Sequence, residues 1–467
     1  MAGLSSILSS ASNALGSDSL GLQAAGNNLA NVNNSNYAQE TVVSDDNGGD
    51  DSADATPEIQ QVRETLLDQQ VVNETALTAS LTAQSNINSQ AQAAFGENIG
   101  TSSTSSASTT PTGSGLGNDI SNFFNGFSSL AAAPTSTSAQ QTALTGADTL
   151  AQDFNSTDSQ LAQVQTNINT KLSGDTGTVN TLLSNIAGLN TQISRAEFGA
   201  PGTAVGLRDQ RQADLVQLAG YLNVQTSPSS GAAGQIDVTV AGAGGTPITL
   251  VSAGAVTNPV AFNGTQFTAG TAATPITPGG GEVEGLLTAN GTVQSFRDQL
   301  NQLAGQIATS VNAAYNPMGT TGDLFQLTPG SEAGTIAVTP GLTAAGLTVS
   351  ATADPGDNTI ANAVAGLAAQ TFSTARGDPI DGTFADNYAG VVDNLGNVVA
   401  TTNNNLEDQT SVQAVITQQQ SSVSGVSMDQ ELTNVMSYER AYQASSQVIS
   451  VVDTLLDTVV TDLTSTN

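Results

Sequence analysis

Apolar positions at the front of the chain fall on a single stripe: Leu4, Leu8, Ala11, Leu15, Asp18, Leu22, Ala25, Leu29 and Val32, at alternating spacings of four and three. The back of the chain carries a second stripe through Val435, Tyr438, Tyr442, Ser445, Ile449, Val452, Leu456, Val459 and Leu463. A repeat of about 3.5 residues keeps a stripe facing a partner helix along a supercoil, so each segment predicts a coiled-coil helix. Helices of this kind at both ends predict a protein that brings its ends together and packs them against neighbours.

The pattern between them is helix, strand, helix. The segment Asn27-Asn28-Leu29-Ala30-Asn31-Val32-Asn33-Asn34-Ser35-Asn36-Tyr37 ends the first helix, because Asn side chains cap helix ends and tolerate left-handed backbone. After an acidic stretch, Asp45 to Asp51, helical spacing runs from about Glu58 to Phe95 through Val62, Leu66, Val72, Leu77 and Leu81. Residues 101–115 are nearly all Ser, Thr, Gly and Ala and read as a flexible linker. Helical periodicity resumes from Ile120 to Ala196. From Val224 to Thr277 the chain turns to Gly, Thr, Val and Pro, and Gln235 to Val240 alternates as a half-buried strand does. Helices follow over Val293–Ala314, Thr359–Thr371 and about Tyr388–Val423, with short extended patches at 335–338 and 347–349, and Gly425 breaks the pattern before the last helix. The expected fold is mainly α with a β insertion (α+β), elongated and multidomain, its helical halves closing on each other and the β module projecting.

Composition narrows the function more than the fold. At 467 residues the chain has room for about two to four domains. Aromatic residues are 4% and Trp is absent, so cores of Ala, Val, Leu and Ile are expected. Lys and Arg number 8 against 40 Asp and Glu, a net charge of -32 that repels phosphate backbones and anionic lipid. Nucleic acid is therefore not a partner, and no apolar run of about 18 residues predicts a membrane span. The absence of His and Cys removes imidazole bases, thiol nucleophiles and the usual transition-metal ligands. The front segment has neither the basic start nor the compact apolar block of a secretory signal.

Candidate chemistry is correspondingly thin. Asp45-Asp46-Asn47-Gly48-Gly49-Asp50-Asp51 fails the spacing of an EF-hand loop and reads as a solvated acidic loop. Gly242-Ala243-Gly244-Gly245 follows a strand, but neither helix nor Lys comes next, so a hairpin turn is expected there and not a phosphate loop. Leu207-Arg208-Asp209-Gln210-Arg211-Gln212 reads as a surface ion-pair ladder on a helix. Without His a hydrolase would need a Lys base, and Lys171 is the one lysine. We assign no catalytic, cofactor or metal residue and expect no enzyme.

The Asn27–Tyr37 segment resembles the N-terminal signature of the axial proteins of the bacterial flagellum, carried here by Asn27, Asn28, Asn31 and Tyr37. Ser424 to Leu432, followed by Tyr438-Glu439-Arg440-Ala441-Tyr442-Gln443-Ala444-Ser445, is similar to the matching C-terminal pattern. Leu207–Leu218 with Arg208, Asp209 and Arg211, Gly281–Tyr315 with Gly-Leu-Leu placed before a helix, and Asp323-Leu324-Phe325 sharpen the resemblance to one family, the hook–filament junction (first hook-associated) proteins. The acidic loop stands where that family has a Gly-rich hairpin.

The resemblance implies a structural subunit exported through the flagellar type III apparatus without a cleaved signal peptide. Such a subunit acts outside the cell as a ring of copies on the hook, and is required for filament assembly. Its implied partners are itself, hook protein, the second junction protein or flagellin side of the filament, and an export chaperone. It also implies a terminal coiled-coil domain from residues 1–40 and 426–467, a helical rod from 41–221, 285–320 and 359–425, a β domain at 222–284 and a short extended insertion at 321–358. Another axial subunit, hook or flagellin-like, or a secreted acidic adhesin remains the alternative.

Overall fold

The computed structural model describes residues 2–34, 36–44, 57–96, 115–231, 233–319, 322–352 and 356–465. Helix α1 (Ala2–Ala30) leads into strands β1 (Glu40–Ser44) and β2 (Pro57–Gln61), then α2 (Thr65–Phe95), α3 (Leu116–Ala132), α4 (Thr137–Ala196) and α5 (Val205–Ala219). Strands β3 (Gln225–Pro228), β4 (Ile236–Ala241), β5 (Pro247–Ser252), β6 (Ala255–Val256), β7 (Val260–Phe262), β8 (Phe267–Ala269) and β9 (Thr274–Pro275) follow. The order continues through α6 (Gly281–Tyr315), β10 (Phe325–Gln326), α7 (Glu332–Thr335), β11 (Ala337–Val338), α8 (Thr359–Gly366), α9 (Phe384–Ser424) and α10 (Met428–Ser465). The chain is thus mainly α with small antiparallel sheets, the class its periodicities predict. It forms two compact units, one of Met1–Ala79, Gly174–Glu284 and Asp408–Asn467, the other of Ser80–Ser173 and Gly285–Glu407.

In the first unit α1 packs along α10, and β1 pairs antiparallel with β2 from Glu40 opposite Gln61 to Ser44 opposite Pro57. The β insertion makes a four-stranded sheet in the order β3-β4-β5-β6 and a three-stranded one in the order β7-β8-β9. Val238 and Val240 of β4 are buried, as their alternation requires, with Leu250 and Val251 of β5. The turn between these strands is the hairpin expected at Gly242–Gly245: the Gly242 amide donates to Thr246, and φ of +82° and +80° at Gly244 and Gly245 requires glycine. Two asparagines of α4 substitute for missing strand partners. Asn180 exchanges bonds of 2.8 and 2.9 Å with the Val260 backbone, and the buried Asn190 does the same with Ile236 at 2.8 and 3.3 Å.

The second unit has an aromatic core, where composition led us to expect an aliphatic one. Phe124 stacks on Phe384 at 5.6 Å, Phe123 meets Phe127 and Phe325 at 5.2 and 5.6 Å, and Phe95 meets Phe296 edge-on at 6.1 Å. Few aromatics suffice because this unit concentrates them. Arg297 grips Asp158 through Nε and Nη2 at 2.9 and 3.0 Å. Gly285 lies inside α6, not ahead of it; a Cβ there would sit 2.2 Å from the Ser80 carbonyl, so the Gly-Leu-Leu motif marks a helix crossing.

Two helix boundaries also differ from expectation. The pattern assigned to one helix from Glu58 holds a strand through Gln61, because β1 offers β-branched Thr41, Val42 and Val43 as a partner. The helix read as continuous from Ile120 to Ala196 breaks at residues 133–136, where Pro134 cannot continue the ladder and Ser136 Oγ caps α4 by accepting from the Ala139 amide at 3.3 Å. The Asp45–Asp51 loop and most of the 101–115 linker lie outside the described residues.

Candidate assembly interface

The α1 stripe faces α10. Ala11 and Ala25 are buried, and Leu4, Leu8, Leu15, Leu22, Leu29 and Val32 are half-buried. On α10, Val452 is buried and Tyr438, Ile449, Leu456 and Val459 are half-buried, while the side chain of Leu463 is outside the described residues. Tyr442 departs from the expected stripe: it is 40% exposed, and the half-buried Ala441 takes its place, because from Tyr438 to Ile449 the stripe steps three-four-four in place of four-three-four. Ser445 Oγ donates to Asp18 at 3.3 Å, so the polar pair in the stripes forms one rung that fixes register. Gly21 meets Tyr438, whose ring would lie 2.5 Å from a Cβ at that glycine. The contacts of residue 21 with 438 and 18 with 445 make the pair antiparallel.

At the inner end of the pair the Asn-rich signature builds a buried polar knot. Asn28 Oδ1 accepts from Tyr37 Oη and from the Glu40 amide, both at 2.8 Å, and Asn28 Nδ2 donates to the Glu40 carbonyl at 2.9 Å. Asn27 donates to the Glu40 carboxylate at 2.9 Å, and Asn31 donates back to the Asn27 carbonyl at 3.0 Å. The asparagines act through side-chain bonds; the positive-φ residues other than glycine among those described are Ala253 and Ala273, so the expected left-handed Asn backbone is not used. Arg63 ties the turn to the rest of the unit, donating to Asp209 at 2.6 Å, Asp68 at 2.9 Å and the Asn36 carbonyl at 3.1 Å. Gln39 reaches the start of α10, donating to the buried Glu431 carboxylate at 2.7 Å, and Gln420 donates to Asp68 at 2.6 Å.

The predicted surface ladder on α5 is instead buried and points elsewhere. Asp209 and Arg211 are 8% and 7% exposed. Arg208 pairs with Glu197, just past the end of α4, at 2.6 and 2.8 Å, Asp209 takes Arg63 and Gln61, and Arg211 donates to Asn190 and the Gly234 carbonyl at 2.8 and 2.7 Å. Adjacent positions on a helix do not face each other, so Arg208 and Asp209 reach different partners, and Arg211, two positions on, reaches a third.

Burial sets the electrostatics of this knot. It pushes the Glu40 carboxyl up, against the bonds from Asn27 and Tyr37, and the Asp209 charge pushes it further. Burial likewise pushes Asp209 up, with Arg63 opposing, and raises the Tyr37 hydroxyl far out of its range, Glu40 and Asp209 adding to the effect. Burial would raise Glu197 too, but the bonds from Arg208 and the Gly202 and Ala204 amides outweigh it and hold that carboxyl low. Two clefts flank the turn: one of about 280 Å³ toward Gln420, Ser424 and Val426, another of about 360 Å³ toward Gly206, Gln210 and Ala213.

Sequence reading singled out Asn27, Asn28, Asn31, Tyr37, Arg208, Asp209 and Arg211, but missed Glu40, Arg63, Asp68 and Glu431. Scarcity was the available signal for Arg63, since a chain with 8 cations places few of them at random. Among the described residues no group of three or more carboxylates is arranged to hold a metal ion, and no helix is long and apolar enough to cross a membrane.

Comparison with known proteins matches residues 103–324 to the family described as "Flagellar hook-associated protein FlgK helical domain" and residues 417–463 to "Flagellar basal body rod FlgEFG protein C-terminal". The chain is 25% identical over 393 residues to flagellar hook-associated protein 1 of Bacillus subtilis, covering 74% of this chain and 76% of that one. It is 34% identical over 104 residues to the Salmonella typhimurium protein of the same name, a match spanning 22% of this chain and 18% of the relative. A solved structure, the flagellar hook junction protein FlgK from Burkholderia pseudomallei, aligns at 26% identity with a TM-score of 0.45, covering 56% of this chain and 47% of that one. The terminal helices joined by the Asn-rich knot stand beside family and sequence matches that all carry the names of flagellar axial proteins. The helical-domain match and the curated relatives indicate the flagellar hook-associated protein 1 family.

Proposed function

We propose that the chain is a structural subunit of the bacterial flagellum that forms the junction ring between hook and filament and is required for filament assembly. The observation that carries this reading is the α1–α10 pair. Its inner stripe is closed by the polar knot, yet the flanks of α10 leave Leu432, Met436, Val448, Val451, Leu455 and Val460 between 43% and 56% exposed. Apolar side chains beside an existing helix seam are covered when further helices join the bundle, and copies of the same chain supply them.

In this reading the seam residues Leu4 to Val32 and Tyr438 to Leu463 are the assembly surface, and the knot sets the angle at which the pair meets the rest of the first unit. The remaining partners are hook protein on one side, the second junction protein or flagellin on the other, and an export chaperone. The subunit leaves the cell through the flagellar type III route. The terminal coiled-coil domain comprises residues 1–40 with 426–467, and the β domain residues 222–284.

A deletion strain tests this. It should make hooks of normal length, bear no filaments and release unpolymerised flagellin into the medium, and added purified protein should restore filament growth. Normal filaments on the deletion strain would overturn the reading. Unlimited polymerisation of the purified chain would favour a hook or flagellin-like subunit instead.

A further inference from the structure

Three of the 8 cations in this acidic chain, Arg63, Arg208 and Arg211, line one cavity of about 110 Å³ in the first unit, bounded by α2, α5 and the strands β3 and β4. Two of them are matched by carboxylates. Arg63 holds Asp68 and Asp209, and Arg208 holds Glu197. Arg211 is not. It is 7% exposed, and its Nη1 donates to two neutral oxygens, Asn190 Oδ1 and the Gly234 carbonyl. A guanidinium carries five N–H donors, and the bonds of Arg211 to these two oxygens both run from Nη1. The adjacent Gln212, 9% exposed, also lines the cavity, and its side-chain nitrogen is buried without a hydrogen-bond partner.

We propose that this cavity is a binding site for a small inorganic anion, held by Arg211 and the Gln212 amide with Arg208 and Arg63 around it. A buried guanidinium bonded to neutral oxygens and a buried donor without acceptor are both costly, and one anion relieves both. The volume is that of roughly four waters, room for a halide or a tetrahedral oxyanion and too little for an organic cofactor. The opposing charge lining the cavity is Asp68, already engaged by Arg63 and Gln420. Burial, with Arg208 and Arg63 nearby, lowers the Arg211 pKa to about 10 against the pull of Glu197. The net charge of -32 does not forbid the site, because charges beyond a Debye length of about 8 Å are screened while Arg211 acts at contact.

The test uses the purified full chain. Its melting temperature is followed in sodium bromide and in sodium gluconate at equal ionic strength, so that general screening of the acidic surface is the same in both. Bromide should give an additional, saturable rise. Arg211→Met should weaken bromide binding about tenfold or more, the scale of a lost charge-assisted hydrogen bond. Gln212→Glu supplies a tethered carboxylate and should fold yet lose the bromide response, which decides the matter if Arg211→Met is too unstable to purify. Crystals grown in bromide should show anomalous density beside Arg211 and Gln212. Coincident bromide and gluconate curves, an unchanged response in either variant, or a cavity without anomalous density would each overturn the proposal.

Discussion

The carboxamide of Asn28 is 1% exposed and satisfies three groups at once: the Tyr37 hydroxyl, the Glu40 amide and the Glu40 carbonyl. Asn28→Ala strands all three in a buried place, and we expect a loss of about 2–4 kcal/mol in urea unfolding of the first unit. Tyr37→Phe should cost only about 1 kcal/mol, since the Asn28 oxygen keeps the Glu40 amide. Glu40 titrates in the opposite sense to a surface carboxylate. Its pKa is raised in the folded chain, chiefly by burial, so the folded state binds the proton more tightly. That favours folding below the unfolded value of about 4.3 and costs stability as pH rises through the folded value. Glu40→Gln keeps an oxygen for Asn27 and removes the titration. Its urea midpoint relative to wild type should therefore increase from pH 4 to pH 7; a decrease would show that the ionised carboxylate is the stabilised form.

At the scale of elements, the α1–α10 pair depends on a close approach where Gly21 faces Tyr438. Gly21→Leu forces the Tyr438 ring away and should cost about 1–3 kcal/mol of pairing, seen as faster hydrogen exchange in both helices. Tyr438→Ala should partly rescue it, because the two changes share one volume; strictly additive effects would mean that the helices do not pack through this contact. Charge patterning at this scale is equally specific: α5 sends Arg208 to the turn after α4, Asp209 to the turn after α1 and Arg211 to the β insertion, so one short helix fastens three neighbours.

For the whole molecule, the question is what the seam does beyond pairing two helices of one chain. Leu456 is half-buried against α1, with exposed Val451, Leu455 and Val460 nearby. Leu456→Asp should leave the main thermal transition of the purified chain intact, since the aromatic core lies in the other unit, and should abolish incorporation into flagella. The reason is that a charge costs several kcal/mol only where assembly removes water from it. A large fall in melting temperature would place Leu456 in the core of the isolated chain instead.

What the sequence determined by itself was whatever repeats locally. The stripes of α1 and α10, the long helices, the alternation in β4 and the glycine turn after it are all written in spacings of a few residues, so periodicity exposes them. The Asn-rich signature was equally visible, though not what its side chains would hold. Tertiary structure alone decided the rest. Residues 57–61 became a strand because β1 lay beside them, Tyr442 left the seam to Ala441, and an apparent surface ladder became three separate attachments, two of them buried. Gln39 meets Glu431 across 392 residues of chain, and Arg63 meets Asp209 across 146. Partners so distant leave no mark on local spacing, because the free energy that selects them comes from desolvating charges together in the folded core.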